Sequence, residues 1–125
     1  MIAKVIKISE TGHNENCHNA RGDSGESFCY QMMPSTYKAY SIQVLGYVAE
    51  PTPTNVEYIA TVKLGQLAEK YPMDKIALKW NAGEGATKCS RGINRYKQSY
   101  DSCQYVSKAV KVYNELYEKQ NRNVR

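Results

Sequence analysis

The chain has no apolar run approaching the roughly 20 residues that a membrane-crossing helix needs, so insertion into a bilayer is not expected. Its four cysteines, at 17, 29, 89 and 103, include no CxxC pair, which argues against zinc. Histidine is scarce as well. His13 and His18 stand near one another with no third ligand at a convincing spacing, and they read as loop residues; no metal and no organic cofactor is expected. Phe and Trp occur once each against eleven tyrosines, so most aromatic surface carries a hydroxyl that needs water or a partner. Residues 1–8 contain lysines and are too short for a signal peptide. Repeats and low-complexity segments are missing too.

What is present fits one globular domain over residues 1–125, long enough to bury a single core. The net charge of +5 is spread along the chain, which favours an anionic partner. Nucleic acid is not expected, because the basic residues are not interleaved with aromatics in any recognisable binding motif. Cysteines 17 with 29 and 89 with 103 would each close a short loop worth about 3 kcal/mol in the chain-entropy estimate. Two disulfides and four buried thiols both remain open; the first would suit an oxidising destination.

Ile2, Val5, Ile6 and Ser9 share a helical face that Gly12 ends. Residues 13–28 are mostly polar and Gly residues, Asn, Ser, Asp and Arg among them, loop or hairpin material whose tightest turn is "ARGDSGES"; turn chemistry accounts for its RGD. Of the whole chain, 17–31 alone has room for a small β element. Pro34 opens a second helix to about Leu45. Thr54 or Asn55 is expected to cap a third, with Val56, Ile59, Ala60, Leu64, Leu67 and Tyr71 along one stripe. Met73, Ile76, Ala77 and Trp80 form a fourth, stopped by Gly83 and Gly85. The longest run places Val106, Ala109, Val110, Tyr113, Leu116 and Tyr117 on one face, after a cap at Asp101 or Ser102, before a tail "EKQNRNVR" expected to fray. The fold class is therefore mainly α, with an irregular or small hairpin segment between about residues 13 and 31.

Glu10 is the residue of chemical interest. It closes the first helix, where the partial negative charge of the C-terminus disfavours a carboxylate. Cleaving a glycosidic bond requires a carboxyl that keeps its proton near neutral pH, and an apolar pocket at that position would favour it. "ETGHNEN", then "GDSGESFCYQMMPST", then "ALKWNAGEG", then "YVSKAVKVY" resembles the soluble lytic transglycosylase family, of goose-type lysozyme architecture. Its members carry a catalytic Glu followed by Ser or Thr, a Gly-bearing segment ending in Gln, a hydrophobic pair and Pro-x-Thr, an Asn-Ala-Gly turn, and Tyr-Val on the last helix.

The resemblance spans residues 8–113. It implies that Glu10 is the sole catalytic acid and base, that Gln31 and Met32 line the saccharide groove, and that Asn81, Ala82 and Gly83 form the turn whose amide holds a sugar N-acetyl group or positions its backbone. It also puts the Tyr105 hydroxyl near the carboxyl. Relatives usually have Gly three residues before the Gln, where this chain has Phe28, and the spacer from Glu10 to Gln31 is slightly long. The implied partner is the glycan strand of peptidoglycan and the implied reaction is lytic transglycosylation.

The setting would be a cell wall, periplasm or extracellular space, in a phage particle, lysis system or secretion assembly. A muramidase of the same fold and a non-catalytic wall-binding module stay open as alternatives. Tyr30, Tyr96 and Tyr100 are candidate stacking faces for sugar rings. Asp23 and Glu26 are rival carboxylates, more simply read as turn formers. Trp80, at helical spacing with Ile76, reads first as core.

Overall fold

The computed structural model describes residues 1–12, 17, 28–93, 95 and 97–124. Among these, five helices and one two-stranded antiparallel sheet make a mainly α fold: α1 Ile2–Thr11, α2 Pro34–Leu45, α3 Pro53–Lys70, α4 Met73–Ala82, β1 Arg91–Ile93, β2 Ser99–Asp101 and α5 Ser102–Val124. No helix of the described residues is long and apolar enough to cross a membrane.

Local chemistry sets most boundaries. Gly12, at φ 66°, ends α1 and donates its N–H to Ile8 O at 2.8 Å. Pro34 occupies the first turn of α2, where its missing N–H costs nothing, and Gly46 closes that helix in the left-handed region at φ 84°. The α3 cap is Thr52 rather than Thr54 or Asn55: its Oγ1 accepts from Asn55 N at 3.2 Å. Pro53 is the reason, since a proline at the first helical position puts the cap one residue before it. Asp101 caps α5 as expected, its Oδ1 accepting from Gln104 N at 2.9 Å. The segment expected to fray continues as helix through Val124.

Val5 and Ile6 of α1, Ile59 and Ala60 of α3, Ile76 and Ala77 of α4 and Ala109 of α5 meet in one core with 1% exposure or less. Each large aliphatic there contributes about 1.5–3 kcal/mol by leaving water. Packing is most extensive between α4 and α5, and α1 lies against both α5 and α3. On α5 the inward face comprises Tyr105, Val106, Ala109, Val112, Tyr113 and Leu116, while Tyr117 is exposed. That face has Tyr105 and Val112 in place of Val110 and Tyr117 of the expected stripe, and the shift turns Tyr105 inward.

The sheet of the described residues lies elsewhere than the segment the sequence suggested, of which 13–16 and 18–27 fall outside the described residues. Arg91 pairs with Asp101, Gly92 with Tyr100 and Ile93 with Ser99, well outside 17–31. A Cβ on Gly92 would stand 3.0 Å from the Tyr100 hydroxyl, so the tyrosine lies across a glycine. Below the hairpin, the Cys89–Cys103 disulfide ties its base to α5. Ser102 N donates to Ser90 O at 2.9 Å, and Ser90 N donates to Ser102 Oγ at 2.7 Å. Three-residue strands held by a crosslink and a ring over a glycine leave no periodic trace in sequence. Cys17 and Cys29 are also bonded, which decides the cysteine alternatives in favour of two disulfides. Of residues 13–31, the described stretch 28–31 is a turn.

Candidate active-site groove

Glu10 sits in the last turn of α1, half-buried, on the wall of a groove of about 1130 Å³. Its neighbours Ser9 and Thr11 return their hydroxyls to the helix, to Val5 O at 2.7 Å and Lys7 O at 2.9 Å. The carboxylate is thus the chemically distinctive group that this turn brings to the groove. Behind it, the Tyr105 oxygen is buried. Burial first, then the charge of Glu10 and hydrogen bonding to it, hold the phenol well above its usual pKa. Tyr105 is therefore a protonated phenol beside Glu10.

The second motif enters through a strained turn. Phe28 and Gln31 adopt φ of 65° and 48°, in the left-handed region that non-glycine residues seldom occupy. Phe28 stands where the resembled family has glycine, and its backbone has the conformation that glycine favours; the Phe ring is buried in the core instead of covering the groove. Gln31 Nε2 donates to Phe28 O at 2.5 Å, so one amide hydrogen is spent inside the turn. Gln31 and Met32 both line the groove.

Asn81, Ala82 and Gly83 end α4 on the same groove. Gly83 has φ 108° and donates to Lys79 O at 3.1 Å, while a Cβ there would meet nothing within 4 Å. Backbone conformation, not close approach, accounts for this glycine. Trp80 lines the groove too and is half-buried. Its Nε1 donates to Tyr30 O at 3.2 Å, and its ring lies 5.8 Å from that of Tyr40. It is both core and wall.

Tyr30 corrects one expectation. At 1% exposure it lines no part of the groove, and its hydroxyl donates to Glu57 Oε1 at 2.9 Å, so it cannot stack on a sugar. Burial, then the Glu57 hydrogen bond and charge, push its pKa far upward. Tyr100, 45% exposed on β2, does line the groove together with Gln98 and Ser99. His13, His18, Asp23, Glu26 and Tyr96 lie outside the described residues. Among the described residues, no three His, Cys, Asp or Glu side chains gather as a metal site.

Several groove residues went unread in the sequence. Ser35, Thr36, Ala39, Tyr40 and Gln43 put one face of α2 along the groove. The spacing i, i+1, i+4, i+5, i+8 is helical, and small or polar groups at most of these positions were the available signal. Lys63 was hidden on the apolar stripe of α3 at 6% exposure. Its ammonium pairs with Glu84 Oε1 at 2.9 Å.

Glu84 and Lys79 complete the polar lining. Lys79 is buried beneath the turn after α4, donating to Glu84 O at 2.9 Å and Ala86 O at 3.2 Å. The arrangement therefore offers a half-buried carboxylate with a phenol behind it, an aromatic wall, and amide and hydroxyl groups spaced along an open trough. Comparison with protein-family models, with characterised proteins and with solved structures finds no match to this chain.

Proposed function

We propose that the groove binds a peptidoglycan glycan strand and cleaves the β-1,4 bond between N-acetylmuramic acid and N-acetylglucosamine by lytic transglycosylation. The observation that carries this reading is convergence. Glu10, Gln31 with Met32, and Asn81 to Gly83 line one trough, and Tyr105 faces Glu10 from behind, although these segments are scattered over the sequence. The glycine-like backbone at Phe28 adds support, because it keeps the resembled motif in register.

In this reading Glu10 gives its proton to the bridging oxygen as the C1–O bond breaks, and the substrate's own N-acetyl group stabilises the oxocarbenium-like centre. The muramyl 6-hydroxyl then adds to C1 and returns its proton to Glu10, closing a 1,6-anhydro ring. No water is consumed. Tyr105, protonated and in place, steadies the carboxylate between the two transfers by hydrogen bonding.

A water-using inversion would need a second carboxylate about 6.5–9.5 Å across the bond. Among the described groove residues, Glu84 is the other carboxylate, and the Lys63 ammonium already engages it. The net positive charge suits an anionic wall, and two disulfides suit delivery to an oxidising space, whether by a phage particle or a secretion assembly.

Mass spectrometry of digested wall tests the reaction: fragments lighter by one water carry anhydro ends, whereas reducing ends would establish hydrolysis instead. Glu10→Gln should lower the rate about a hundred- to ten-thousandfold, the usual worth of a positioned general acid. A Gln variant that clears wall suspensions at the parent rate would remove the assignment of Glu10. A parent that binds wall without ever cutting it would leave only a binding module.

A further inference from the structure

Two buried lysines are spent on one exposed turn. Lys79, 9% exposed, holds the backbone of that turn through the carbonyls of Glu84 and Ala86. Lys63, 6% exposed, holds the Glu84 side chain by the 2.9 Å ion pair and also donates to Gln43 Oε1 at 2.7 Å. A cation withdrawn from water is costly unless paired. Packing alone would be served at position 63 by an apolar residue, since its stripe neighbours Ile59, Ala60, Leu64 and Leu67 are all core.

The outcome of this arrangement lies on the groove wall. A lysine only donates, so the amide oxygen of Gln43 must face Lys63, and the Gln43 amide hydrogens must point elsewhere. Glu84 keeps one carboxylate oxygen beyond the ion pair, and its side chain is 46% exposed. Gln43 and Glu84 both line the groove. Gln43 stands about 12 Å along α2 from Ser35, at the helical rise per residue, so this donor and acceptor mark the end of the α2 wall away from the turn at Gln31–Met33.

We infer that Lys63 is a positioning residue that orients Gln43 and Glu84 into a donor–acceptor pair reading the hydroxyl and acetamido groups of a sugar unit bound at the α2 C-terminal end of the groove. The inference rests on the glycan reading above and adds a subsite to it. The acceptor carries charge, so its bond to a sugar hydroxyl is of the stronger kind.

Calorimetric titration with N-acetylglucosamine oligomers of increasing length tests it, using Glu10→Gln protein to prevent turnover and thermal melting to verify that each variant is folded. The affinity of the longest oligomer should fall about fivefold in Gln43→Ala, the scale of one neutral hydrogen bond, and about tenfold in Glu84→Ala, the scale of a charge-assisted one. Lys63→Met should cost as much, and should add nothing on top of Gln43→Ala with Glu84→Ala, because the three act as one unit. If Lys63→Met does not fold, the two variants at exposed positions decide alone. Unchanged affinity in both, with the parent binding normally, overturns the subsite and leaves the glycan reading standing. A parent that binds no oligomer of any length overturns both.

Discussion

The two sides of the groove are built by different physics. The helical side, from α2 and α4, stands on side chains removed from water: Tyr40, Ile76 and Ala77 are buried beneath it. The hairpin side has strands exposed along almost their whole length and is fastened by Cys89–Cys103 and the Ser90–Ser102 hydrogen bonds. A wall supported by burial is coupled to the global fold, whereas a wall fastened at its base can loosen on its own. Glu10 belongs to the first kind, as α1 packs on α3 and α5.

The largest effect that separates the two sides should come from Ile76→Ala, which leaves a void under α4. We expect a loss of about 2–5 kcal/mol by denaturant unfolding, with the helical wall lost only when the whole domain unfolds. Replacing Cys89 and Cys103 together by Ala should cost about 3 kcal/mol in the chain-entropy estimate. Here amide exchange should accelerate in the hairpin ahead of the helices; uniform acceleration would refute a separately fastened wall. Phe28→Gly relieves left-handed strain of about 1–2 kcal/mol yet removes a buried ring, so a net loss of about 2 kcal/mol is expected. A gain in stability would show that the ring contributes little.

Alkaline titration probes the helical side again. Tyr30, Tyr40 and Tyr105 have pKa values raised by burial and by Glu57, Glu84 and Glu10 respectively. A raised phenol stabilises the folded state fully below the unfolded value of about 10 and ceases to do so as pH rises through the folded value. Stability should accordingly be unaffected by these three phenols up to pH about 10 and fall beyond it, and Tyr105→Phe should soften that fall. The smallest effect is expected from Gly92→Ala, where the new methyl pushes the end of a half-exposed tyrosine: at most about 1 kcal/mol, confined to the hairpin.

Helix boundaries were legible where one residue carries the signal. Gly12, Pro34 and Gly83 punctuate α1, α2 and α4 through backbone chemistry that acts locally. Tertiary facts were not legible. Tyr30 looked like a stacking ring because a tyrosine is amphipathic, and only the fold supplies Glu57 as a buried acceptor for its hydroxyl. Lys63 interrupts an apolar stripe, and its partners Gln43 and Glu84 come from elements that the stripe does not reveal. On α5, periodicity indicated a helix, but the contacts with α1 and α4 decided which face turned inward. The α2 wall escaped notice because small polar residues look like a solvated surface whether or not a trough runs past them.

Glu10 and Tyr105 belong to the first and last helices of the described chain, and they meet only where those helices dock. A half-assembled molecule has every helix it needs and still lacks the pair. During refolding, burial of the Tyr105 phenol beside Glu10 should therefore lag the helical signal and keep time with closure of the loop that joins the two helices, whose entropy must be overcome before these contacts can form.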